Sequence, residues 1–129
     1  MTTLAFHVGA WALVLVGVGH LLAAVFGAPQ KEPAVFEAMR QEQVPLPRRS
    51  RSLWTLHVGF SVAMGVLLVA YGGLNAVLIL TSEPSAFVAG FNAAVAAVMT
   101  GISVRFFFPV PIVLCSLSAV AFGVALALS

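Results

Sequence analysis

The chain has 129 residues, 61% of them hydrophobic and only 8% charged, with a formal net charge of +2. A soluble domain carries about 25% charged residues and roughly half apolar ones, and a small one buries only about two-thirds of the surface its unfolded chain exposes. A water-soluble fold is therefore excluded, and so is a lipid-spanning β-barrel, which needs the apolar–polar alternation that the runs 11–18 and 65–70 lack.

Four stretches, 4–28, 53–80, 86–104 and 110–128, contain no Asp, Glu or Lys. Each exceeds or approaches the roughly 20 apolar residues that cross a bilayer as a helix. Only Met1, Thr2 and Thr3 precede the first stretch. Without a basic leader, and too long for a signal core, it is expected to be a retained span.

The connection 29–52 carries Lys31, Arg40, Arg48, Arg49 and Arg51 against Glu32, Glu37 and Glu42. Pro33 predicts the start of a short helix, because its missing N–H costs nothing at a first helical position. Glu32 and Glu37 lie near the N-terminal end of that helix and Arg40 further along, which suits the helix dipole. Val35, Phe36 and Met39 form one apolar face, so the helix is expected to lie along the headgroups, with Arg48, Arg49 and Arg51 on anionic lipid. That cluster is short and lacks interleaved aromatics, so no nucleic-acid partner is expected.

The second span contains Gly72–Gly73, a predicted site of bending. The connection 81–85 holds Glu83 and no base. The third span is rich in small residues, with Gly90-x-x-x-Ala94 and Ala93-x-x-x-Ala97 patterns that let backbones approach closely. It is expected to be the packing centre of the bundle or a homodimer face. A tight turn around Arg105 and Pro109 leads to the fourth span, where Pro109 and Pro111 set a defined entry. Cys115, the single cysteine, excludes an intramolecular disulfide and any CxxC motif. It is expected to pack as a small apolar side chain.

All six basic residues fall in the first and third connections. The positive-inside rule puts both in the cytoplasm and both termini outside, in a multi-pass inner-membrane protein. The expected fold is an all-α, antiparallel up-down four-helix transmembrane bundle, one domain over 1–129.

With carboxylates absent from the spans, the polar residues there are few. At 1.5 Å per residue His20 lies about 12 Å, and His57 about 6 Å, from the inner end of its helix. Neighbouring helices would bring the two to similar depths, with Arg105 and Trp54 in the same inner layer. His20, His57, Arg105 and Trp54 are therefore the candidate ligand-binding group, because ionisable residues inside spans are costly and often functional. His7, Asn75 and Asn92 form a second polar group at outer depth, suited to hydrogen bonding between helices.

The stretch Trp54-Thr-Leu-His-Val-Gly-Phe-Ser61, the turn Arg105-Phe-Phe-Phe-Pro109 and the loop segment Glu37-Ala-Met-Arg40 resemble a family of small, uncharacterised four-span bacterial integral membrane proteins. The resemblance covers about a third of the chain and implies four spans and a bacterial membrane, without a biochemical activity. The family carries a histidine where this chain has Met64.

No P-loop, HExxH, Ser-His-Asp set or paired carboxylate occurs. The absence of an intramembrane acid also counts against proton-coupled export. The expected role is an accessory subunit or a binder of a lipid-like small molecule within the bundle, with membrane lipids as partners and a homo-oligomer or larger membrane complex as its setting. No cofactor or metal is expected on this reading. The alternative is a small membrane enzyme or redox protein using the paired imidazoles of His20 and His57, which could ligate haem iron or another metal.

Overall fold

The computed structural model describes residues 1–26, 33–47 and 49–129. Four long helices dominate it: α1 (Thr2–Phe26), α3 (Leu53–Thr81), α4 (Ala86–Phe106) and α5 (Pro109–Ala127). Each is long and apolar enough to cross a membrane, and each falls within two residues of an expected span. The protein is an all-α, four-helix bundle of the multi-pass membrane class.

Local chemistry marks the helix ends. Ser52 caps α3, its hydroxyl accepting from the Thr55 N–H at 3.2 Å, and Ser85 caps α4 by accepting from Val88 at 3.3 Å. Each satisfies an otherwise orphaned donor of the first turn. Pro109 occupies the first turn of α5, where its missing N–H is harmless.

The short helix α2 (Pro33–Gln41) starts at the expected proline. Phe36 meets Trp54 of α3 edge-on, with ring centroids 5.1 Å apart, and the Arg40 guanidinium sits 5.8 Å from the centre of the same indole. Between α2 and α3 the chain forms an antiparallel hairpin, β1 (Gln43–Leu46) paired with β2 (Arg49–Ser52), that the sequence reading treats as loop. Pro45, Pro47 and the arginines argue against strands, but a two-stranded ribbon has only edges, where proline is tolerated. Such a ribbon is marginal alone. Here the Leu53 N–H donates to the Glu42 carbonyl at 2.9 Å and closes its base. Lys31, Glu32 and Arg48 lie outside the described residues.

The packing corrects the expectation that the third span is the packing centre of the bundle. α1 packs against both α3 and α5, while α4 leans chiefly on α5. Ala94, Ala97 and Gly101 of α4 face outward, and Gly90 touches only Leu126. The closest backbone approach is instead between α1 and α3. A Cβ on Gly17 would stand 2.8 Å from the Gly65 carbonyl oxygen, and one on Gly72 would stand 2.7 Å from that of Ala10. Ala10 and Gly17 are seven residues apart, as are Gly65 and Gly72, and the pairs run in opposite order along the two helices. This is a heptad of small residues. Helix α3 runs unbroken through Gly72–Gly73, and Gly72 is a point of contact with α1.

α1 and α5 close against each other through one half of their length. Phe122, fully buried, meets Phe6 edge-on at 4.9 Å, and the Ser118 hydroxyl donates to the Gly9 carbonyl at 2.9 Å. At that end Thr2 donates to the Leu128 carbonyl and Thr3 to the Glu83 carboxylate, both at 3.3 Å. Cys115 is buried with a free thiol and accepts from the Ser103 hydroxyl at 3.6 Å, as a small packing residue would.

Candidate functional site: a lateral cleft between α1 and α5

Towards the α2–hairpin end, α1 and α5 lack the tight seam described above, and a cleft of about 340 Å³ opens between them. Gly19, Ala23 and Ala24 of α1 leave the room, since none projects a large side chain. Phe107 and Phe108 in the turn before α5, with Pro111 on α5, form the facing wall. Leu15, Phe108 and Val110 on its lining are more than half exposed, so the cleft faces the surroundings of the bundle. In a membrane those surroundings are acyl chains.

His20 of α1 and His57 and Ser61 of α3 supply the polar groups of an otherwise apolar lining. His20 meets Phe107 edge-on, with centroids 6.1 Å apart and an interplanar angle of 82°. The same histidine, with Val16, Phe107 and Pro111, also lines a second cavity of about 90 Å³. That cavity runs towards Leu68 and Met99 between the helices and reaches Met64, which is exposed. His20 and Phe107 thus stand between a lateral and a central space.

The structure brings together two of the four residues expected in the inner group. Trp54 does not line the cleft but supports it, its indole 5.7 Å from the His57 ring at a shallow 31°. Arg105 is exposed and turned away, its guanidinium 5.4 Å from the centre of the Phe106 ring. Arg105 follows from depth alone, and depth along an axis says nothing about which way a side chain leaves it. Ser61, Gly19, Phe107 and Phe108 were not singled out from the sequence. Two signals existed: Ser61 lies one turn beyond His57, and Gly19-x-x-x-Ala23 is a small-residue pair flanking His20 on its own helix.

The outer group does not form a comparable site. Asn75 and Asn92 are buried, and each donates its amide to the backbone carbonyl one turn back, Tyr71 and Val88, at 2.9 Å. The Tyr71 hydroxyl then donates to Asn92 Oδ1 at 2.7 Å, tying α3 to α4, two helices that otherwise pack little against each other. His7 is half-buried and lines neither the cleft nor the cavity beside the Glu83 loop. Asn92→Leu is expected to lower stability by about 1 kcal/mol, the scale of interhelical hydrogen bonds in membranes. Adding Tyr71→Phe should recover part of that loss in a double-mutant cycle read by denaturant titration in mild detergent.

Among the described residues no group of three or more His, Cys, Asp or Glu side chains is placed to hold a metal ion. Comparison with family models, with curated proteins and with solved structures finds no match for this chain.

Proposed function

We propose that this chain is a multi-pass inner-membrane protein that holds one lipid-like molecule in the cleft between α1 and α5. The observation that carries this reading is the convergence of His20 and His57, from two helices, on one wall of an apolar cleft open to the side. A mostly apolar concavity with a few convergent polar groups is the usual form of a small-molecule site. Its lateral opening suits a ligand that arrives from the bilayer rather than from water. The helices run up-down and antiparallel, both termini outside and the α2–hairpin segment in the cytoplasm. Supporting that arrangement, Arg40, Arg49 and Arg51 lie in one connection and Arg105 beside the other on that side. Thr2, Thr3, Glu83 and Leu128 are tied together at the opposite end.

Gly19→Phe tests the ligand. A Cβ at Gly19 meets nothing within 4 Å, so the new ring grows into the cleft without displacing backbone. The expected result is a folded protein with an unchanged melting profile from which the co-purifying lipid, seen by native mass spectrometry of the parent, is gone. Retention of the same lipid by the variant would sink the proposal. The two imidazoles could also serve a bis-histidine haem. A Soret band in the purified protein would replace the lipid reading with that one.

A further inference from the structure

We propose that the molecule held in the cleft is a quinone with an isoprenoid tail. Its flat, uncharged ring lies against Phe107, one carbonyl oxygen accepts a hydrogen bond from His20 of α1, and the other accepts from His57 or Ser61 of α3. This rests on the reading of the cleft as the site of a lipid-like ligand, and it names the chemistry of the head.

The charge of the lining comes first. Among the described residues, no Lys, Arg, Asp or Glu lines the cleft or the central cavity behind it. The nearest candidate cation by sequence, Arg105, is committed to the face of Phe106 on the outside. A phosphate or carboxylate head brought here would lose its hydration without gaining a counter-charge, which is among the most costly burials in a membrane protein. Phospholipids and fatty acids fit poorly for that reason, and a neutral head fits.

The hydrogen-bonding inventory narrows the choice. No side-chain hydrogen bond among the described residues engages His20, His57 or Ser61, whereas the other deep polar groups, Asn75, Asn92, Ser103 and Ser118, are all engaged within the protein. A neutral imidazole keeps one N–H to donate and a hydroxyl another, so the wall offers donors from two different helices. A long-chain alcohol has one oxygen and meets the donors of both helices less fully. A quinone has two carbonyl oxygens, one for each helix. The lining supplies the rest of the shape: the edge of Phe107 and the small floor of Gly19, Ala23 and Ala24 accept a flat ring, and the lateral opening past Leu15 and Val110 lets a tail pass into the acyl layer.

Binding of decylubiquinone to the purified protein tests this, with decanol and decanoate as comparison ligands of matched tail. Trp54 is the reporter, since quinones quench indole emission at short range and Trp54 adjoins His57. Trp11→Phe silences the other tryptophan, which is exposed on α1. The expected result is saturable quenching that decanol displaces weakly and decanoate not at all. It should weaken about tenfold in His20→Leu, the scale of one lost hydrogen bond, and vanish in Gly19→Phe. His57→Leu, at an exposed position where folding is not at stake, should weaken it as well. If Gly19→Phe empties the protein of its lipid but decylubiquinone gives no saturable quenching, or decanoate displaces it, the quinone assignment is overturned and the cleft reading stands. If Gly19→Phe leaves both the bound lipid and the quenching unchanged, both fail.

Discussion

Gly72→Val is expected to break the α1–α3 pairing, while Gly73→Ala, one residue further along the same helix, leaves it intact. A Cβ at position 72 would stand 2.7 Å from the Ala10 carbonyl oxygen and 2.9 Å from the Val14 nitrogen, both backbone atoms that cannot rotate aside. At position 73 a Cβ meets nothing within 4 Å. Overpacking a fitted interior costs about 1–3 kcal/mol, and more when backbone has to move. Valine at 72 forces that movement on the helix whose partner carries His20, so the cleft should lose its shape along with the bundle its stability. Alanine at 73 should gain roughly 0.5–1 kcal/mol from reduced backbone entropy in the unfolded chain. Thermal melts followed by far-ultraviolet circular dichroism in mild detergent separate the two. Equal melting temperatures for both variants would show that α1 and α3 are not packed backbone to backbone.

The same glycines show how far the sequence is legible. The spans themselves are plain, because a bilayer accepts only long uncharged helical stretches and such stretches are easily seen. Which side of each helix faces its neighbours is hidden for the same reason. A soluble helix betrays its buried face by keeping polar residues on the other, whereas α1, α3, α4 and α5 are apolar all round. Small residues then become the only marker of contact, and α4, with eight Gly and Ala, has as many as α1. The structure spends that marker elsewhere, on the heptad of Ala10, Gly17, Gly65 and Gly72, and turns Ala94, Ala97 and Gly101 outward. The candidate site divides along the same line. Counting residues from the span ends places His20 and His57 at compatible depths, and they do line one cleft. Arg105 shares the depth but points away, a rotation that no axial count contains. The β1–β2 hairpin is hidden in the sequence for a different reason. Its prolines and arginines are poor strand residues, and what stabilises it, the Glu42–Leu53 closure and the capped start of α3, depends on neighbours rather than on the strands.

Phe122→Ala is expected to be the most damaging single truncation in the bundle, and its consequences reach the cleft. Phe122 is fully buried, packs edge-on against Phe6, and fills the space above Gly9, where a Cβ would come within 3.0 Å of its ring. In a soluble core such a truncation costs about 3–5 kcal/mol, part from transfer to water and part from the cavity left behind. In a bilayer the transfer part weakens, since the surrounding chains are as apolar as the ring, and the lost packing contacts remain. A loss of about 3 kcal/mol, at the low end of that range, follows. Phe122 belongs to the half of the α1–α5 seam that is closed, together with the Ser118–Gly9 and Thr2–Leu128 hydrogen bonds. That closed half is what holds the other half apart at a fixed width, so loosening it should also weaken ligand retention. Binding to the folded state works in the opposite direction. A ligand present at a hundred times its Kd adds about 2.7 kcal/mol, enough to restore most of the stability lost by Phe122→Ala. Decylubiquinone in that excess should therefore raise the melting temperature of the parent and of Phe122→Ala, and leave that of Gly19→Phe where it was. Rescue of Gly19→Phe to the same degree would mean that the compound acts on the detergent or the bundle surface, and not in the cleft beside His20.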